Sequence, residues 1–251
     1  MKAYSHYIFD LYGTLADIHT DETLPRLWRS MAERYARAGA VYGPRELRES
    51  YLRICAERIS RVDSPWPDIP IRDVFARLYA EKGIRPGSSA VRETAMAFRR
   101  LSTTRLRLYA GARELLAALR DAGRGVYLLS NAQRLWTEAE LRALGLWECF
   151  DDVVISSDFG FCKPDPRLFR ALLERNGLEA ADCLMIGNDP AADIRGAAGV
   201  GMAGYYIRSA LSPRNAPLPA DDAVCIQNGM DLSLLRRRLL SEGRSGEKRW
   251  L

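Results

Sequence analysis

Asp10 ends an apolar run, His6-Tyr7-Ile8-Phe9. Ser130 and Asn131 end a second such run. Lys163 lies in a Phe-Cys-Lys-Pro-Asp-Pro loop after a third, and Asn188, Asp189 and Asp193 follow a fourth. Taken singly, each has an ordinary reading. A carboxylate after a strand often caps a helix, Ser-Asn and Asn-Asp-Pro are turn signals, and a lysine before proline is usually solvated. Unrelated turns, however, need not recur in that order after successive apolar runs.

Together these residues suit anion chemistry. Asp10 and Asp189 are oxygen ligands for a hard divalent cation, with Mg2+ the expected choice. Such an ion screens Asp10 enough for it to approach a phosphoryl group as a nucleophile. Ser130 and Asn131 would donate hydrogen bonds to the non-bridging oxygens, and Lys163 would neutralise charge and orient Asp10. Gly13 lets backbone amides crowd the anion. Asn188 and Asp193 belong one layer further out, with Asp193 orienting a metal-bound water or Lys163.

The elements that must hold these residues are legible from periodicity. Short apolar runs at 6–10, 125–130, 152–156, 183–187 and 203–208, with a weaker one at 223–226, read as buried parallel strands. Helical patterns at 111–123, 137–145, 165–177 and 189–201 alternate with them. This alternation predicts an α/β fold with a doubly wound, Rossmann-like parallel sheet, whose strand ends share one ligand-binding edge. Residues 1–16 and 107–240 form that core.

The stretch 17–106 breaks the alternation. It carries helical patterns, the first with Leu24, Leu27, Trp28, Met31 and Tyr35 at one face, and a proline-rich turn, Val-Asp-Ser-Pro-Trp-Pro. We read it as a helical insert, with Trp28 and Met31 as packing residues. Residues 241–251 form a basic tail.

The chain has 251 residues, 47% of them apolar and 27% charged, enough for a buried core. No apolar run reaches the ~18–20 residues of a membrane span. The N-terminus lacks a secretory apolar stretch, so a cytoplasmic protein is expected. Five scattered cysteines with no CxxC pair argue against a disulfide framework or a zinc knuckle and read as buried, inert thiols. The net charge of +5 comes without a basic stripe interleaved with aromatics, so no nucleic-acid partner is expected. The sequence sets no oligomeric state.

The motifs Asp-Leu-Tyr-Gly-Thr-Leu (10–15), Leu-Leu-Ser-Asn-Ala (128–132), Cys-Lys-Pro-Asp-Pro (162–166) and Ile-Gly-Asn-Asp-Pro-Ala-Ala-Asp (186–193), in this order, resemble the haloacid dehalogenase-like hydrolase superfamily. The resemblance runs along nearly the whole chain, and the insert looks like the family's helical cap. It implies a covalent intermediate on Asp10. It also implies a metal held by Asp10, the backbone carbonyl of Tyr12, Asp189 and waters.

One position departs from the family's phosphatase pattern. Where those enzymes carry a second aspartate, the general acid and base, this chain has Tyr12. A phenol with a pKa of about 10 is a poor base near neutrality. The first motif instead resembles the dehalogenase branch, in which halide leaves without a proton. The fourth motif, with its acidic pair, resembles the phosphatases. The principal reading is therefore a Mg2+-dependent phosphatase acting on a small phosphorylated metabolite. The alternatives are a metal-independent 2-haloacid dehalogenase, using one of Arg26, Arg29, Arg34 or Arg37 for the substrate carboxylate, and a weakly active binding or regulatory module. Asp17 and His19 are the nearest substitutes for the missing acid–base, and Asp-Ile-His-Thr-Asp-Glu (17–22) also reads as a helix start.

Overall fold

The computed structural model describes residues 4–214, 217 and 224–241. The chain opens with β1 (His6–Phe9) and β2 (Ala16–Thr20). Four helices follow: α1 (Pro25–Arg37), α2 (Pro44–Ile59), α3 (Ile71–Glu81) and α4 (Ser88–Ser102). Then come β3 (Thr103–Leu108), α5 (Ala112–Asp121), β4 (Gly125–Ser130), α6 (Arg134–Ala143), β5 (Asp152–Ile155), α7 (Pro166–Asn176) and β6 (Cys183–Gly187). A π-helical turn (Pro190–Arg195) runs into the short α8 (Gly196–Ala198), followed by β7 (Ala203–Ile207), β8 (Val224–Gln227) and α9 (Leu232–Leu240).

Six strands pair in the order β5-β4-β1-β6-β7-β8, every pairing parallel. This is the doubly wound sheet that the alternation predicts. Successive side chains of a strand face opposite ways, and the core divides accordingly. Tyr7, Phe9, Val126, Leu128, Leu184 and Ile186 pack on one face against α5 and α9. Ile8, Tyr127, Leu129, Cys183 and Met185 pack on the other against α7. Chain order reverses direction beside β1, so the crevice between the ends of β4, β1 and β6 is where a sheet of this kind binds ligands.

Helices α1–α4 bury their own apolar cluster, which includes Trp28, Met31, Tyr35, Phe75 and Phe98. One member of that cluster comes from elsewhere in the chain. Trp136 of α6 is 6% exposed, stacks at 6.1 Å on Phe98 and donates its indole N–H to Ala95 O at 3.0 Å. A second attachment runs through Asp68. Its carboxylate accepts from Ser156 Oγ at 2.6 Å and from Gln133 Nε2 at 3.1 Å. The Gln133 amide oxygen also accepts from Ile71 N at 2.7 Å.

Some details differ from the sequence reading. Residues 16–20 form a strand rather than a helix start, because Ala16, Asp17, Ile18 and His19 pair antiparallel with Leu108, Arg107, Leu106 and Arg105. The first helix begins later, at Pro25, where proline's missing N–H costs nothing. The pattern expected as one helix over 189–201 opens as a π-turn, which swings Asp193 inward. Of the cysteines only Cys183 is buried, although no disulfide joins any of the five. Cys162 is half-buried, and burial pushes its thiol up to about 12, so it is not a thiolate near neutrality. No described helix is long and apolar enough to cross a membrane. Past Ser241 the basic tail lies outside the described residues.

Gly13 turns the chain after β1 with φ of 90°, and a Cβ there would lie 2.4 Å from the Asn188 amide. Gly123 has φ of 69° with nothing within 4 Å of its absent Cβ. Gly123→Ala should therefore lose only the left-handed backbone term, about 1–2 kcal/mol. Gly13→Ala should lose clearly more, because Asn188 must also move. Chemical denaturation of both variants checks the difference.

Candidate active site

The ends of β4, β1 and β6 and the loop before α7 bring the sequence-predicted residues together around one ammonium. Lys163 Nζ donates to Asp10 Oδ1 at 2.9 Å, Asp193 Oδ1 at 2.7 Å and Leu129 O at 2.7 Å. All three of its N–H groups are thereby used. Burial works against the Lys163 charge, but the Asp10 and Asp193 carboxylates raise its pKa to about 12. Burial likewise pushes the Asp193 carboxyl up to about 6, against the pull of Lys163. The lysine is therefore a fixed positive charge.

Asp193 also accepts from the backbone N–H of Asp189 at 2.9 Å. Space for it depends on Gly187, where a Cβ would lie 2.2 Å from the Asp193 carboxylate. The second Asp10 oxygen, Oδ2, accepts from Thr14 Oγ1 at 3.2 Å. The Asn188 amide satisfies its neighbours with nitrogen turned toward Asp10. That nitrogen, with two N–H groups to donate, then lies 3.3 Å from Asp10 Oδ2, 3.1 Å from Tyr12 O and 3.2 Å from Thr14 Oγ1. Asn188 thus braces the loop directly. Gly13 makes room for that amide, a more local reason than the crowded anion expected from sequence.

Two other residues make contacts that their sequence reading does not include. Asn131 is committed to the Lys163 peptide: its Nδ2 donates to Lys163 O at 2.9 Å and its Oδ1 accepts from Lys163 N at 2.7 Å. Its side chain fixes the lysine loop rather than facing an anion. Asp189 caps the turn after β6, its Oδ1 accepting from Ala191 N at 2.8 Å and Ala192 N at 2.9 Å. Its Oδ2 accepts no hydrogen bond among the described residues. Ser130 Oγ is fully buried and makes no hydrogen bond among the described residues. A buried hydroxyl so placed, at the end of β4 beside the Lys163 cluster, is available to donate to a bound group.

Tyr12 spends its hydroxyl away from this cluster. It donates to Glu140 Oε2 at 2.5 Å and lies 3.2 Å from Thr137 Oγ1. Burial first, then the Glu140 charge, push the phenol well above its ordinary range. Arg99 of α4 holds the same carboxylate, Nε to Oε1 at 2.6 Å. Neither candidate substitute for the missing acid–base is free. Asp17 is buried and paired with Arg105 at 2.9 Å and Arg107 at 3.1 Å, and exposed His19 bonds Thr104 at 2.7 Å. Thr14, Arg99 and Glu140 were not singled out as site residues. Thr14 had a signal, lying inside the first motif. Arg99 and Glu140 had none, because their pairing joins helices far apart in sequence.

The model of the haloacid dehalogenase-like hydrolases matches residues 4–201. A phosphoserine phosphatase of Thermus thermophilus is 35% identical over 61% of this chain and 60% of its own length, so the chain spans about three-fifths of that relative. A glyceraldehyde 3-phosphate phosphatase of Pyrococcus abyssi is 29% identical over 77% of each chain. The crystal structure of an L-2-haloacid dehalogenase from Xanthobacter autotrophicus shares the fold at a TM-score of 0.53 and 22% identity, covering 96% of this chain and all of its own. With the motifs, the parallel sheet and a family match over most of its length, the chain belongs to the haloacid dehalogenase-like hydrolases.

Proposed function

We propose that the protein is a Mg2+-dependent phosphatase of small phosphorylated metabolites, with Asp10 as nucleophile. The observation that carries this reading is the cluster in which Lys163 fixes Asp10, with the buried Ser130 hydroxyl beside it unbonded among the described residues. The donor chemistry supports this ion, although no group of three His, Cys, Asp or Glu side chains gathers to hold a metal among the described residues. Asp10, Asp189 and Asp193 outnumber the one ammonium among them, which favours a further cation. Asp10, the Tyr12 carbonyl and the open Oδ2 of Asp189 are the hard oxygen ligands that Mg2+ prefers. When bound, the ion would offset the repulsion between Asp10 and a phosphoryl dianion.

In the first step an Asp10 oxygen forms a bond to phosphorus as the ester P–O bond breaks, and the leaving group departs with that electron pair. Ser130 donates to a non-bridging oxygen, and Lys163 holds Asp10 in place. Water then attacks phosphorus, which releases inorganic phosphate and restores the carboxylate. Two relatives bear phosphatase names, which supports the substrate class.

The dehalogenase reading is less well supplied. Arg26, Arg29 and Arg37 are exposed on α1, Arg34 is half-buried there, and Arg99 is spent on Glu140. Among the described residues none of these arginines bonds to the Asp10 cluster, and the acidic cluster disfavours an anionic substrate without a metal.

Two outcomes follow. Hydrolysis of an aryl phosphate should require Mg2+ and fall by ~10³-fold or more in Asp10→Asn, as with other removed nucleophiles. Absence of both signals would leave a binding or regulatory module. With no acid at position 12, an aryl phosphate should also turn over at least ~10²-fold faster than an alkyl phosphate, the usual size of a general-acid contribution. That ratio should shrink in Tyr12→Asp. Steady-state assays of both esters measure it.

A further inference from the structure

We propose that Tyr12 is a positioning residue: through Glu140, its phenol couples the seating of α4 to the loop that carries Asp10. The proposal rests on reading Asp10 as the nucleophile.

The geometry is a chain of three side chains from three parts of the molecule. Tyr12 lies two residues past Asp10, Glu140 is on α6, and Arg99 is on α4. Glu140 is 8% exposed and accepts from both others: from Tyr12 at Oε2, and from Arg99 at Oε1 at 2.6 Å and at Oε2 at 3.2 Å. A buried carboxylate needs this much. Without Arg99 it would be an uncompensated charge, and without Tyr12 it would lose a short charge-assisted bond. The Arg99 guanidinium lies 5.7 Å from the Tyr12 ring and 5.1 Å from the Trp136 ring. Arg99 therefore reads both the loop and α6.

Helical spacing makes α6 the go-between. Trp136 and Glu140 are four residues apart, so both face α4, where Ala95 and Arg99 have the same spacing. Trp136 meets Ala95 and Phe98, and Glu140 meets Arg99. Thr137, one residue on, turns toward Tyr12. If α4 leaves α6, Trp136 is unburied and Glu140 loses its cation. The carboxylate must then move to find another partner, which alters its bond to the Tyr12 phenol.

On the other side of Tyr12 the loop is stiff. The backbone N–H groups of Gly13, Thr14, Leu15 and Ala16 all bond within residues 11–16, at 2.8–3.2 Å. Movement of Tyr12 therefore carries through to Thr14, which donates to Asp10. A second aspartate at position 12 could not make this contact, because its short side chain would not reach Glu140. The residue that removes the acid–base thus supplies a mechanical link.

Amide hydrogen exchange of the full-length protein tests this without requiring turnover. Arg99→Met, a change in α4, should speed exchange of the Gly13–Ala16 amides by about tenfold, the usual size of coupling between contacting residues. Glu140→Gln, which keeps the shape, should do the same. In a Tyr12→Phe background, Arg99→Met should add much less than it does alone, because the hydroxyl link is already cut and only the contact of Arg99 with the ring remains. Arg142→Met, on the exposed side of α6, should leave the loop unchanged. On an aryl phosphate with Mg2+, the linked variants should lose kcat with KM little moved. Unchanged loop exchange in folded Glu140→Gln, or rates that multiply in the double variant, would overturn the proposal. Loop exchange that responds as expected in a protein without phosphatase activity would support the coupling and count instead against Asp10 as the nucleophile.

Discussion

The site depends on one buried ammonium. Lys163 has three N–H groups and three acceptors, two of them carboxylates from different strand ends. In low dielectric such a cluster is stable only when every member is held, since removal of one partner leaves a buried charge alone. Many neighbouring choices follow from this. Asn131 spends its whole amide on the Lys163 peptide, and Asn188 braces Asp10 from its other oxygen. Gly187 leaves room for the Asp193 carboxylate. These residues sit near the chemistry, yet their first task is to keep one lysine and one aspartate still.

A lysine so placed cannot serve as the acid or base of a reaction near neutrality. Its charge is fixed by the same carboxylates that bury it. Proton transfer would have to come from elsewhere, and position 12, the usual source in the phosphatase motif, is filled by a tyrosine. Its hydroxyl is bound to Glu140 and its proton is held tightly. The proposed chemistry is therefore well furnished for binding and attack and poorly furnished for protonating a leaving group. This favours esters whose leaving groups depart unaided.

Much of this was legible in the sequence, for physical reasons. Strands buried on both faces are continuous apolar runs, so the sheet could be read, and Asp10, Ser130, Lys163 and Asp193 could be placed at its edge. The π-turn after Asp189 could not be read, because Pro190–Arg195 has the composition of an ordinary helix start. Nor could the strand character of residues 16–20, which comes from pairing with residues about 90 positions away. The roles of Asn131 and Glu140 depend on contacts across 32 and 128 residues. No local pattern encodes these. Tyr12 was visible as a missing acid, but its partner was not.

The central claim is that Asp10, held by Lys163, takes the phosphoryl group. The most direct measurement is the mass of the chain, quenched in acid during turnover of an aryl phosphate with Mg2+. The account predicts one added phosphoryl group, mapping to the peptide that contains Asp10. Steady turnover with no phosphoryl group on the chain, or with one on another residue, would contradict it.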